Sequence, residues 1–138
     1  PESQLDRFFM RLFMGYPSAE AERILLKGED RRAMLHESVA ILDEGMILAL
    51  QVLREQVILS EAILDYLQAL TAWTRTKVHG LSTRGLLALK RAAQAYAIVE
   101  GRYYVTHEDV QAVLAAVVAH RIHVSEVEIA QALQHIAI

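Results

Sequence analysis

HGLSTRGLLALKRAAQAYAI, residues 79–98, is the stretch whose reading decides the fold. Leu86, Leu89, Ala93, Tyr96 and Ala97 recur at three- and four-residue intervals, the spacing of one helical face, and that face is expected to be buried. Gly101 follows where a helix needs a left-handed residue to stop. Arg84 falls in the first turn, where unpaired amides already carry about half a positive charge, so it costs a few tenths of a kcal/mol unless an anion answers it. A phosphate can be that anion; the plainer reading is that Arg84 pairs with some carboxylate or is merely solvated.

The neighbouring segments read the same way. SEAILDYLQALTAWTRT, starting at Ser60, puts Ile63, Leu64, Leu67, Leu70 and Trp73 on one face behind a serine cap. THEDVQAVLAAVVAHRI (106–122) opens on Thr106 as cap, with Glu108 and Asp109 suited to the positive end of the dipole and Arg121 to the negative end. SEVE at 125–128 offers a capping box for a last helix. Earlier in the chain, Ser18 is positioned to cap AEAERILLKG and Asp43 to cap EGMILALQVLREQ, while GEDRRAMLHESV (28–39) reads as an irregular connection. FFMRLFM (8–14), rich in β-favouring aromatics and ended by Gly15 and Pro17, is expected to be one strand. A lone strand leaves backbone groups and apolar side chains unpaired, so either a sheet or self-association is expected to cover it. The fold class is thus mainly α, a helical bundle with one short β segment.

The 138 residues suit one domain or a piece of a larger one. Hydrophobic residues make up 54% and charged residues 22%, a composition that builds a core. Fourteen basic against 17 acidic residues leave a charge of −3, which disfavours a protein that coats nucleic acid. With no Cys, disulfides, thiolate nucleophiles and Cys-bound zinc are excluded, and a cytoplasmic setting is the simplest reading. No apolar run is long enough to span a membrane. The opening PESQLDRFF resembles the middle of a domain, and the chain is expected to be a fragment.

Several motifs have plainer explanations than chemistry. SVAILDEGM mimics the strand and Asp-Glu pair of P-loop ATPases, but no GK pair exists for a GxxxxGK[ST] loop, and Asp43 as a helix cap explains the same letters. His120 and His123 lack a completed metal-ligand set, and histidines near a helix C-terminus are favoured by its dipole. Tyr103 and Tyr104 read as a strand-to-core anchor. Arg7, beside Asp6, is on spacing alone an ordinary amphipathic arginine, although a planar guanidinium can bridge two phosphate oxygens.

PESQLDRFFMRL with GYPSAEAERILL, and GLSTRGLLALKRAAQAYAIVEGRYYVTHEDV through HRI, resemble the MoxR family of AAA+ ATPases over residues 1–122. The resemblance implies the closing segment of an ATPase core at 1–16, a helical lid at 17–122, and a C-terminal helix or extension at 123–138. It implies that Arg84 is the sensor-2 arginine, reaching the γ-phosphate of ATP in the same subunit, with Ser82 and Thr83 beside the nucleotide. Arg7 would be the arginine finger, acting on the next subunit. Asp6 would orient that finger or belong to the subunit interface. ATP and Mg²⁺ in the full protein, a hexameric ring, and partners comprising von Willebrand factor A domain proteins and client complexes are implied as well. The whole would couple ATP hydrolysis to chaperone-like remodelling or activation of complexes, with the fragment itself inactive.

The chain departs from the family's GASPRA pattern. Thr83 stands for Pro, which it can replace without blocking the helix, and Gly85 for Ala, which is expected to loosen the helix start by about 1 kcal/mol. A magnesium-chelatase-like motor subunit and a non-enzymatic helical interaction module remain alternatives. A DNA-binding domain is weaker, because no basic stripe is evident.

Overall fold

The structure, a computed structural model, describes residues 2–28, 35–36, 38–77 and 79–136. Its helices are α1 (Glu2–Leu5), α2 (Ala19–Leu26), α3 (Glu44–Gln56), α4 (Glu61–Thr74), α5 (Thr83–Val99), α6 (His107–Ile122) and α7 (Glu126–His135). The expected caps are in place. Ser18, Ser60 and Thr106 accept from the amides of Ala21, Ile63 and Asp109, and Asp43 accepts from Met46 at 2.7 Å. Ser125 and Glu128 form the capping box of α7. Gly101 closes α5 at φ +73°, and the Arg102 amide donates back to the Ala97 carbonyl at 2.8 Å.

Two compact units are present: Pro1–Leu12 with Leu50–Ile138, and Phe13–Ala49. The smaller holds α2 and the start of α3, and neither helix buries a residue. Most of the connection read as irregular, including 29–34, lies outside the described residues. In the larger unit α6 is the central element, packed most extensively against α5 and touched by α1, α4 and α7. Leu70, Leu89, Val110, Leu114, Val117 and Val118 are its most fully buried large apolar residues. Deep burial of this kind contributes roughly 1.5–3 kcal/mol per large side chain.

Three expectations are corrected. FFMRLFM (8–14) forms no strand: no strand lies beside it among the described residues, and the Arg11 amide instead donates to the Ala116 carbonyl of α6 at 2.8 Å. Leu12, Phe13, Met14 and Tyr16 are exposed. Tyr103 and Tyr104 do not anchor the core. Both are exposed, and the buried neighbour Val105 does that work beside an isolated parallel bridge between Ile58 and Tyr104. Tyr96 also faces solvent at the edge of the α5 face, where Gln94 is buried instead and donates to the Val57 carbonyl at 2.9 Å.

Asp109 does more than complement a dipole. Fully buried, it accepts two hydrogen bonds from Arg102 at 2.5 and 2.6 Å and one from the Thr106 amide at 2.8 Å. Burial pushes its carboxyl up, but the Arg102 guanidinium and the Thr106 amide outweigh that and hold it below the usual carboxylate range. A depressed carboxyl contributes stability above its unfolded value of about 3.9 and loses it as pH falls below that. Asp109→Asn is therefore expected to lower Tm at pH 7 by about 5 °C and to flatten the acid limb of the stability curve, measured by thermal unfolding from pH 7 to 3.

Candidate functional site

Ser82 ends the connection before α5 in extended backbone, and its hydroxyl oxygen accepts from the Gly85 amide at 3.1 Å. That leaves its proton to donate, and both oxygens of Asp6 lie 3.0 Å away. Thr83 and Arg84 are the first two residues of α5. The Arg84 guanidinium stands 3.6 Å from Asp6, with 60% of its side chain exposed. In this structure a carboxylate of the same chain answers the out-of-place cation.

A second arginine reaches the same carboxylate from the end of α6. Arg121 has a side chain only 3% exposed, and its Nε lies 3.3 Å from Asp6. This contact is an ion pair, and Nε has no hydrogen-bond partner of its own. Its terminal nitrogens donate to the carbonyls of Phe8 at 2.5 Å, Phe9 at 3.2 Å and Val117. His120 adds a contact of 3.2 Å to the Phe8 carbonyl, which requires the proton on Nε2. Burial pushes the imidazole below its ordinary value. Burial also lowers Arg121, with Asp6 opposing, and an arginine remains charged regardless. The segment Asp6–Arg11 is thereby stitched to the last turns of α6.

These contacts shape an open cleft of about 340 Å³, lined by Asp6, Arg7, Arg84, Arg91, Arg121 and Leu87 among others. Four arginines and one carboxylate line it, a local excess of three positive charges. Such a composition suits polyanions, and planar guanidinium groups match the geometry of phosphate. Arg7 and Arg84, expected in different roles, therefore share one cleft. Arg7 is exposed, and no ion pair to it is seen among the described residues.

Asp43 is a helix cap, as its spacing suggests. His120 is committed to the Phe8 carbonyl, and His123 takes the left-handed position that ends α6, at φ 54°. No group of three or more acidic or histidine residues that could hold a metal lies among the described residues. Sequence reasoning missed what Arg121 does, because a basic residue at a helix end already has an explanation in the dipole. It also misread Gly85. That residue is buried, and a Cβ there would meet the Leu81 Cδ1 at 2.4 Å and the Arg121 Cδ at 3.1 Å.

The AAA lid domain family matches residues 67–136 of the chain. The match runs through α7, past Ile122, where the sequence resemblance fades. Protein YeaC of Bacillus subtilis is 33% identical over 88% of this chain and 39% of its own length. Chaperone MoxR1 of Mycobacterium tuberculosis is 32% identical over 88% of this chain and 35% of its own. Protein MoxR of Paracoccus denitrificans is 34% identical over 91% and 43%. The chain thus spans about two fifths of the length of the curated relatives it matches. A crystal structure from Cytophaga hutchinsonii, assigned as an ATPase, superposes with a TM-score of 0.85 at 24% identity. It covers 100% of this chain and 48% of that one, and at this identity it speaks for the fold alone.

Gly85→Ala is expected to lower Tm. The gain of about 1 kcal/mol in helix propensity is outweighed by the roughly 1–3 kcal/mol cost of moving Leu81 and Arg121 aside. Thermal unfolding at neutral pH checks this, and a raised Tm would contradict it.

Proposed function

We propose a function from the premise that this chain belongs to the AAA lid domain family and is the lid region of a MoxR-like AAA+ ATPase: it couples ATP binding and hydrolysis to movement of the lid. The observation that supports the reading most is the convergence of Arg7 and Arg84 on one arginine-rich cleft beside the start of α5. In this proposal Arg84 is the sensor-2 residue. Its long, exposed side chain engages the γ-phosphate of ATP held by the same subunit, and its place in the first turn of α5 carries that engagement into the α5 and α6 pair. Ser82 and Thr83 hold the helix start next to the nucleotide, Ser82 as the cap.

Arg7 is the arginine finger. Its exposed guanidinium stabilises phosphoryl-transfer charge in the adjoining subunit of a hexameric ring, an effect worth roughly 10³ to 10⁵ in rate in related systems. The stitching of residues 6–11 to α6 gives that segment a fixed footing. Residues 1–16 are then the closing segment of the ATPase core, 17–122 the lid and 123–138 the C-terminal helix or extension. ATP supplies the phosphoryl group with Mg²⁺ alongside. The arginine cleft suits the phosphates, whereas no described residue cluster suits the metal, and none is assigned to it.

The output would be chaperone-like remodelling, assembly or activation of protein complexes in the cytoplasm, with von Willebrand factor A domain proteins as partners. The relatives named MoxR and Chaperone MoxR1 support that direction. The 138 residues by themselves, without a GxxxxGK[ST] loop, are proposed to turn over no ATP. In the intact ATPase, Arg84→Ala is expected to weaken binding of a fluorescent ATP analogue at least about tenfold, the loss of one charge-assisted phosphate contact. Unchanged binding and unchanged turnover would contradict the sensor role.

A further inference from the structure

We propose that Asp6 is an internal stand-in for phosphate: its carboxylate occupies the anion position of the arginine cleft and must give up Ser82 and Arg84 when a phosphate group arrives. This deepens the reading of Arg84 as a phosphate sensor and rests on it.

The two arginines that meet Asp6 are held very differently. Arg121 is buried and committed, with its terminal nitrogens on the carbonyls of Phe8, Phe9 and Val117. It cannot leave. Arg84 has no such commitment: its contact with Asp6 is long, at 3.6 Å, and most of its side chain is in solvent. A contact of that kind is weak and screened by salt, so an incoming dianion with several acceptor oxygens outcompetes a monoanion. Ser82 is the third holder, and it keeps its capping bond to the Gly85 amide whether or not it also donates to Asp6. Exchange therefore leaves α5 capped.

The buried arginine sets where an anion sits in the cleft: its Nε is enclosed and lies 3.3 Å from the Asp6 carboxylate. A single carboxylate does not satisfy the cations around it, since Arg7 and Arg91 line the same cleft and no ion pair to either is seen among the described residues. Asp6 directly precedes Arg7, so the exchanging carboxylate and the exposed guanidinium stand side by side on the same footing. Without phosphate, Asp6 keeps Arg84 engaged and the cleft closed to weaker anions.

The test is a titration of the 138-residue chain with inorganic phosphate at constant ionic strength. It is read by NMR on the Ser82 and Gly85 amides and on the side-chain carboxyl carbon of Asp6. Asp6→Asn is expected to tighten phosphate binding about fivefold, the loss of one competing ion pair. Asp65→Asn, the same charge change on α4, should leave it unaltered. In the wild-type chain the Asp6 carboxyl carbon should shift with the Ser82 amide along one binding curve. Equal or weaker binding by Asp6→Asn, with Arg84→Ala still abolishing it, overturns the exchange and leaves the phosphate reading standing. Phosphate binding indifferent to Arg84→Ala overturns both, and no binding by either the wild type or Asp6→Asn overturns the exchange. Should Asp6→Asn not fold, the wild-type signal decides. Movement of the Asp6 resonance supports the exchange, and a static Asp6 beside a moving Arg84 side-chain resonance refutes it.

Discussion

One carboxylate, that of Asp6, ties together three parts of the chain far apart in sequence. Ser82 and Arg84 reach it from the start of α5, Arg121 reaches it from the end of α6, and its own backbone leads into Arg7. Each partner comes with a different degree of freedom. Arg121 is locked into the carbonyls of Phe8 and Phe9, Ser82 is a cap with a proton to spare, and Arg84 is a long arm in solvent. The geometry of the cleft follows from that ordering. The buried cation fixes where the carboxylate sits, and the carboxylate fixes where the exposed cation rests.

The packing around this point is tight for the same reason. Gly85 lets the first turn of α5 press against Leu81 and the stem of Arg121, so the helix start and the buried guanidinium occupy adjoining space. Elsewhere in the larger unit the Arg102 and Asp109 pair fixes the entry to α6, and Gln94 fixes α5 to the Val57 carbonyl. Both ends of α6 thus carry buried charge with directed partners, while its middle is apolar. In the proposed role, a lid transmitting nucleotide state needs that kind of rigidity between its sensor and its footing.

Much of this was legible in the letters. The caps at Ser18, Asp43, Ser60, Thr106 and Ser125, the stop at Gly101, and the buried face of Leu89, Ala93 and Ala97 all follow from local chemistry, which sequence records directly. What stayed hidden were the long-range choices. Nothing near Arg121 says that it will turn back onto the carbonyls of Phe8 and Phe9, because its partners lie more than 110 positions away. FFMRLFM carries the residues of a strand, but strand formation depends on a neighbour that local letters do not reveal, and the Arg11 amide pairs with the Ala116 carbonyl of α6 instead. Gly85 read as a loss of helix propensity until the space around it was known. Tyr103 and Tyr104 read as core because they are large, whereas Val105 alone faces inward.

The account stands on Asp6 being a junction and not a bystander, and a double-mutant cycle between Asp6→Asn and Arg121→Lys measures that most directly. Urea unfolding of the two single variants and the double variant gives their coupling. The account predicts a coupling of about 1 kcal/mol or more, as expected for groups sharing one network. Effects that add to within about 0.3–0.5 kcal/mol would mean that Asp6 and Arg121 do not sense each other, and the cleft would lose its fixed point.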